Sequence, residues 1–375
     1  MVNSNLNTHN DSLEKQRATK LNLELTTQSK IIGSVIDVFC GAGCLSNGFH
    51  QEGFKVECGI DVDENCRYAF ETNNFAEFWN RDVLDVKPAD LALQFNHNIP
   101  SVLLGCAPCQ PFSQFNVNRE DPKWLLVDKL ADLVEAIKPD IVSMENVPLL
   151  IRFKSGSTFR AFLRRLKSLH YNIVWKVMNS YDYGAPQTRR RLVVLGSRLG
   201  VPSLPTPNRD NASKKSVFET ISHLPEISAG TFDHIDPLHR SRKLSPMNLR
   251  RIQASKPGGS WHDWNRELIP KCYQRSTGAL YTAVYGRLEW DKPAPTLTTQ
   301  FLNYGSGRYG HPVQDRALSI REGALLQTIP EEYALSADPE TETFKTMGRM
   351  IGNAVPIALA RALAQAIATH IQDVV

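Results

Sequence analysis

The stretch Gly105 to Gln114, reading GCAPCQPFSQ, holds the residues of this 375-residue chain best suited to covalent chemistry. Cys109 stands between Pro108 and Pro111. Each proline fixes its own φ and pushes the residue before it out of the helical region, so Cys109 and Gln110 are expected on a stiff, non-helical turn that holds a thiol at a fixed angle. A free cysteine has a pKa of about 8.5, which leaves only a few per cent as thiolate at neutral pH, so a nucleophile here needs help from its surroundings. Cys106 and Cys109 also form a C-x-x-C pair, and on these residues alone a redox pair, half of a zinc site and a simply buried cysteine all stay open beside the nucleophile.

Two further groups could assist. Glu145 and Asn146, in ENVPLL, follow the apolar run Asp140 to Met144. A carboxylate at a strand tip beside a nucleophile loop serves as a general acid where partial burial raises its pKa; without such a neighbour it is an ordinary surface Glu. Gln187 to Arg191, reading QTRRR, precedes another buried strand, so alternate side chains are expected to face inwards.

The elements that must position these groups alternate between strand and helix. Ser101 to Leu104 reads as a buried parallel strand, which places the Cys109 loop at the carboxyl end of a sheet, where α/β proteins hold ligands. Ser34 to Phe39 is a strand running into CGAGCLSNGF, where Gly41, Gly43 and Gly48 lead into a helix; glycines there let backbone N–H groups approach a ligand closely. A third glycine five positions after Gly43 departs from G-x-G-x-x-G and weakens a nicotinamide reading. Lys55 to Ile60 is the next strand and ends at Asp61, placed either to accept from ribose hydroxyls or to cap the helix near Glu64. A third strand ends around Arg81, Asp82 and Val83. Trp124 to Ile137 carries apolar residues at helical spacing, strands are expected near Ile173 to Ser180 and Arg191 to Gly196, and Pro356 to Ile371 reads as an amphipathic helix returning to the first domain.

Composition narrows the class. Met1 to Lys30 is polar and without hydrophobic period, a mobile tail. The formal charge is +4, and Leu199 to Gly286 contributes 12 Lys and Arg against 7 Asp and Glu. That segment is interrupted by prolines and carries Trp261 and Trp264 among basic residues; it reads as a separate, loop-rich recognition domain with the tryptophans as its core, and its surplus charge fits either a surface that meets phosphates or a solvated basic face without a partner. Regular structure is expected to resume at Arg287 to Gln300. Seven scattered cysteines make no disulfide framework, and neither a membrane span nor a secretory signal is legible, so a cytoplasmic protein is expected.

Taken in order, the motifs resemble those of the DNA cytosine-5 methyltransferase family, and of its bacterial restriction-modification enzymes most of all. DVFCGAG resembles the cofactor loop, GCAPCQPFS the nucleophile loop, ENVP the acid motif, QTRRR the Gln-x-Arg-x-Arg motif, RLEWDKPAPTLTTQ the ninth motif and IGNAVP the last. The resemblance covers Val35 to the C-terminus except Leu199 to Gly286. It implies an α/β, Rossmann-like S-adenosylmethionine-dependent methyltransferase domain (31–198, completed by 287–375) with a smaller target recognition domain (199–286). It further implies that Cys109 adds to carbon 6 of a cytosine, that Glu145 holds the exocyclic amine and ring nitrogen 3, and that Arg191, with Arg189 nearby, contacts the cytosine carbonyl. Phe39, Gly41, Gly43, Asp61, Asp82 and Asn353 match positions lining the S-adenosyl-L-methionine site, and no metal is implied. In the family the counterpart of Asp61 is often Glu.

The implied partner is double-stranded DNA; a cognate restriction endonuclease would share the site without necessarily being bound, and the enzyme itself is expected to be a monomer. A tRNA cytosine methyltransferase of the same fold is the first alternative, but its Cys-Phe-Thr signature is replaced here by Cys272, Tyr273 and Gln274. The second alternative, a non-catalytic DNA-binding homologue, has no need of Cys109, Glu145 and Arg191 together. Arg240, Arg242, Lys243, Arg250, Arg251 and Arg275 are candidates to meet DNA, as phosphate contacts more than as base readers.

Overall fold

The structure, a computed structural model, describes residues 31–108, 122–207, 214–275, 278 and 281–375. Short β-branched and apolar runs form the strands: β1 (Ser34–Val38), β2 (Lys55–Asp61), β3 (Glu77–Asn80), β4 (Ser101–Gly105), β5 (Ile141–Asn146), β6 (Asn172–Asn179), β7 (Gln187–Thr188), β8 (Arg190–Ser197) and β9 (Ala294–Pro295). Helices α1 (Cys44–Gln51), α2 (Arg67–Asn74), α3 (Pro88–Ala92), α4 (Leu125–Ile137) and α5 (Ser157–Ser168) alternate with the first strands. Beyond them come α6 (Val217–Ile221), α7 (Pro246–Gln253), α8 (Ile320–Leu326), α9 (Phe344–Asn353) and α10 (Ile357–Val374).

Seven strands make one sheet in the order β3-β2-β1-β4-β5-β8-β6. β1 to β5 are mutually parallel, whereas β8 runs antiparallel to both neighbours, β5 and β6. β1 and β4 are adjacent although two strands and three helices separate them in the chain, so the strand order reverses between them. The crevice at such a reversal, outside the carboxyl ends of the strands, is where open α/β sheets bind ligands.

The sheet is covered on both faces, as parallel strands buried on both sides require. Ile36, Val38, Leu103 and Val142 pack against α3, α4 and α5, and Val35, Val102, Leu104 and Val193 pack against α1 and α10. α1 and α10 approach closely: a Cβ added to Gly48 would lie 2.4 Å from that of Ala360, so this position admits only glycine without a shift. Arg361 of α10 reaches Glu52 at 2.6 Å and fastens the same contact. Among the described residues, Phe344–Val374 is long and apolar enough to cross a membrane by length and composition. It is two helices, α9 and α10, broken at 354–356 and packed into the protein's cores.

Two expectations need correction. Arg287 to Gln300 holds little regular structure, only the two-residue β9 beside isolated bridges at Arg287, because Pro293 and Pro295 lack the N–H that a ladder needs. β3 stops at Asn80; Asp82 lies beyond it and accepts from the Leu84 N–H at 2.9 Å, capping the turn Val83–Asp85. Trp261 and Trp264 are buried with Ile252, Leu268, Tyr304 and Ala317. Val217, Ile221 and Leu238 instead join a core that runs from Phe70 to Leu318, Met347 and Ile351.

The loop-rich half is held by polar groups in place of long ladders. Arg316 is fully buried and forms a two-pronged pair with Glu322, both contacts 2.7 Å, while Glu322 also accepts from the Ser319 N–H in a capping box. Burial alone would raise the Glu322 pKa, but the Arg316 charge and its hydrogen bonds outweigh it and hold the carboxyl down to about 2. Its contribution to stability is therefore complete above the ordinary carboxylate range and disappears as pH falls through about 2. Glu322→Gln leaves the guanidinium buried without a counter-charge and should cost about 3–5 kcal/mol in urea unfolding at neutral pH. A loss below about 1 kcal/mol would mean that Arg316 finds another partner.

Candidate active site

Four loops meet at the carboxyl edge of the central strands. Register places Val38, Gly105 and Met144 side by side on β1, β4 and β5, so Phe39, Cys106 and Glu145 stand at one level. The Cys106 N–H donates to the Val38 carbonyl at 3.3 Å and prolongs the β1–β4 pairing by one step. β8, running the other way, brings its first residues to this same edge.

The loop after β1 is tightly determined. Phe39 takes a left-handed conformation, φ 67, that costs a non-glycine residue about 1–3 kcal/mol. Its N–H and that of Cys40 both donate to the Ile60 carbonyl, at 2.9 and 3.1 Å, and hold it there. Gly41 and Gly43 have φ of 51 and 83. At Gly43 a Cβ would meet Asn74 Nδ2 at 2.3 Å, whereas the space beside Gly41 is open to 4 Å. Gly43 is thus a packing glycine, and Gly41 leaves a cradle that a side chain would fill.

Asp61 closes this cradle from β2. One carboxylate oxygen accepts from the Gly41 N–H and the other from the Asp63 N–H, each at 2.9 Å, and both keep a lone pair for another donor. Burial raises the Asp61 pKa, opposed by the two backbone N–H groups. Behind the loop lies a carboxyl that sequence reasoning missed. Asp37, in the middle of β1, is fully buried, accepts from Ser46 Oγ at 2.7 Å, and has no hydrogen-bond partner at Oδ1. Burial pushes its pKa up to about 7.

The second half of the site is charged and buried. Glu145, the last residue but one of β5, is only 4% exposed, with Oε1 2.9 Å from Arg191 Nε. That contact is an ion pair without hydrogen-bond alignment, so Oε1 makes no hydrogen bond and retains its acceptor capacity. Oε2 accepts from Cys106 Sγ at 3.0 Å. Next in sequence, Asn146 donates from Nδ2 to the Ala107 carbonyl at 3.1 Å, and its Oδ1 accepts from the Val147 N–H at 2.8 Å, which ties the β4 loop to the β5 loop. Cys109 itself lies outside the described residues, one position beyond Pro108.

The arginines of QTRRR part company. Arg189 and Arg191 are buried and Arg190 is exposed, the alternation expected of a strand. Arg191 reaches Glu145, but Arg189 donates to the carbonyls of Leu297 and Gly352 at 2.9 and 3.0 Å and binds the strand to distant segments. Gln187 does similar work, accepting from the Leu297 N–H and donating to the Leu326 carbonyl and to Gln327. Asn353 is exposed at the end of α9, directly after Gly352. Asp82 is exposed beyond β3.

Late segments of the chain also hold the cradle. Tyr333 Oη donates to the Ala42 carbonyl at 2.6 Å, between the two glycines, and Arg349 of α9 pairs with Asp63 at 2.6 Å. Neither was legible beforehand, because both partners lie hundreds of residues away.

Comparison with known proteins agrees with this geometry. Residues 33–369 match the family described as C-5 cytosine-specific DNA methylase. The chain is 44% identical over 338 residues to the type II methylase M.HgiDII of Herpetosiphon aurantiacus, covering 90% of this chain and 95% of that one. It is 30% identical to the type II methyltransferase M1.BsuMI of Bacillus subtilis, covering 97% and 86%. Among solved structures it resembles a prophage-encoded protein from E. coli, with a TM-score of 0.69 at 19% identity over 91% of this chain and 99% of that one. It also resembles Spodoptera frugiperda DNMT2, with a TM-score of 0.60 at 16% identity over 89% and 99%; these two likenesses concern the fold. With the match spanning nearly all of the described chain, the protein belongs to the C-5 cytosine-specific DNA methylase family.

Proposed function

We propose that this DNA cytosine-5 methyltransferase is the modification enzyme of a restriction system, acting on a cytosine turned out of the duplex. The observation that supports this most strongly is the buried Glu145–Arg191 pair, with one carboxylate oxygen free of hydrogen bonds, beside the Cys106–Pro108 run that leads into Cys109. A buried carboxylate held by one guanidinium and still able to accept suits an amine-bearing base edge. Relatives named as type II methylases, one of them 44% identical, support the restriction-modification setting.

Phe39, Gly41, Gly43, Asp61, Asp82 and Asn353 would hold S-adenosyl-L-methionine, and the open space at Gly41 with the Asp61 carboxylate beside it fits a ribose-bearing ligand. When bound, that cofactor supplies an electrophilic methyl group. The chain's residues prepare its acceptor. Cytosine carbon 5 is a feeble nucleophile; addition of the Cys109 thiolate to carbon 6 moves the electrons of the 5–6 double bond towards carbon 5 and makes it reactive. Glu145 accepts from the exocyclic amine and, protonated, donates to ring nitrogen 3, while Arg191 holds Glu145 and meets the carbonyl. Once carbon 5 is methylated, its proton would pass to water and the proton on ring nitrogen 3 would return to Glu145, which restores the double bond and expels the Cys109 thiolate. Turning the base out costs a few kcal/mol, offset by these contacts.

Leu199 to Gly286 is proposed to read the DNA. Several of its cations are already engaged within the protein: Arg240 on the carbonyls of Glu340 and Glu342, Arg250 with Glu267, and Arg251 on the Leu268 carbonyl. Lys243 and Arg275 are exposed and better placed to meet phosphates. The Cys272-Tyr273-Gln274 sequence gives no support to a tRNA substrate.

Labelled S-adenosylmethionine offered with duplex DNA and tRNA in parallel should mark only the DNA, at cytosines within one short sequence identified by bisulfite sequencing; label in tRNA alone would reject the DNA reading. Cys109→Ser should abolish methyl transfer with DNA affinity changed by less than about threefold, and duplexes carrying 5-fluorocytosine at the target should trap a gel-stable adduct with the parent enzyme only. Retained turnover in the variant removes Cys109 from the mechanism. Glu145→Gln keeps the shape but not the proton, and turnover should fall by about 10²–10⁴ with little change in DNA affinity. Replacing Leu199 to Gly286 by the matching segment of a relative should change the methylated sequence, whereas an unchanged site would place recognition elsewhere.

A further inference from the structure

From Asn146 to Tyr181 the chain carries seven Lys and Arg and no Asp or Glu, the longest one-signed stretch beside the site. This run supplies the loop after Glu145, helix α5 and the sheet's outer strand β6. On α5 the buried residues are Thr158, Phe159, Phe162 and Leu166, so the outward stripe is Arg160, Arg164 and Lys167, all exposed. Arg152, exposed in the preceding loop, extends the stripe toward the carboxyl edge.

Two neighbouring cations are engaged elsewhere. Arg165 pairs with Asp132 and Glu135 of α4, at 2.7 and 2.5 Å, one cation against two carboxylates on the border of this surface. Lys154 lies 3.3 Å from the centre of the Trp124 ring. Among the described residues, none of Arg152, Arg160, Arg164 and Lys167 has a carboxylate within ion-pair distance. Arg160 folds back to the Ser155 carbonyl at 2.8 Å, so the stripe starts at the loop that follows the site.

This arrangement works against the helix. Like charges at i, i+4 (Arg160, Arg164) and i, i+3 (Arg164, Lys167) repel by a few tenths of a kcal/mol each, and α5 contains no acid to relieve them. A surface serving solubility alone mixes both signs. Arg160 to Lys167 spans about 10 Å at 1.5 Å per residue, about three base-pair steps of duplex DNA.

We propose that Arg152, Arg160, Arg164 and Lys167 form a phosphate track for duplex DNA flanking the recognition sequence, so that the enzyme grips more DNA than it reads. This rests on DNA being the substrate. The charge is complementary to a polyphosphate backbone, the spacing matches successive phosphates, and the stripe is continuous with the edge that carries Glu145. α5 follows β5, so its first turn starts at that edge, and a flank of the duplex would meet the stripe from there.

The test compares the parent enzyme with an Arg160→Gln/Arg164→Gln/Lys167→Gln variant on two duplexes bearing the bisulfite-mapped sequence, one of about 14 and one of about 40 base pairs, across a range of salt. Methylation of the short duplex by the parent checks the substrate reading independently; its absence would reject that reading and leave the track without a substrate to serve. On the long duplex the variant's slope of log affinity against log salt should fall by about 2–3, at about 0.9 per phosphate, while short-duplex turnover stays within about twofold. An unchanged slope overturns the track. So does an equal fall in a charge-matched Lys55→Gln/Lys87→Gln/Lys345→Gln variant, which would assign the effect to net charge. A loss seen with duplex RNA of the same length and not with DNA would assign the surface to a different partner and also overturn it.

Discussion

A carboxylate taken out of water needs a cation beside it, and the central sheet is ordered so that Glu145 has one. Glu145 is at the end of β5, so its partner must come from a strand whose beginning lies at that edge. A parallel neighbour would start at the opposite edge, about 20 Å away for a strand of six residues. β8 runs antiparallel, starts at Arg190, and sets Arg191 next to the β5 terminus. The single reversal in an otherwise parallel set is therefore what allows two charges to share a buried site without either being left alone.

Around that pair, the structure spends backbone strain where ligands would lie and recovers it through distant contacts. The loop after β1 holds a left-handed phenylalanine and two left-handed glycines, and it is kept in shape by Ile60, Asp61 and Tyr333. Tyr333 and Arg349 come from the last fifth of the sequence, so the first loop of the sheet takes its final form only against segments made long after it. Gly352 belongs to the same scheme: a Cβ there would lie 2.5 Å from the Thr299 N–H nitrogen, and the close backbone approach lets its carbonyl receive Arg189.

Much of this was legible in the sequence because local patterns carry it. The runs around Ser34, Lys55, Ser101 and Asp140 became strands within a residue or two of their expected limits, since buried β-branched runs between turn residues have few other outcomes. The loop-rich half was not legible. Its order comes from Arg287, Arg316 and Arg321 donating to the Ile252 carbonyl, the Ile227 carbonyl and the Asp236 carboxylate, each tens of residues away, and nothing in the local sequence separates such an arginine from one facing DNA. The same limit applies within QTRRR: alternation tells which arginines turn inwards, but only the fold sends Arg191 to Glu145 and Arg189 to Gly352. Arg240 and Arg251, candidates for DNA on charge alone, are held within the protein for the same reason.

The contact between α1 and α10 has a consequence in time. Phe49 near the start of the chain and Leu363 near its end share one core, and Gly48 is shaped to receive Ala360. During synthesis the first strands emerge long before the helix that must cover one face of their sheet. At 5–20 residues per second, about 15–60 seconds separate the two. Through that interval an apolar sheet face stays open, and non-local closure of this kind is slow in any case. Until α10 has been made, this face of the sheet has no cover from it, and the contact at Gly48 cannot form.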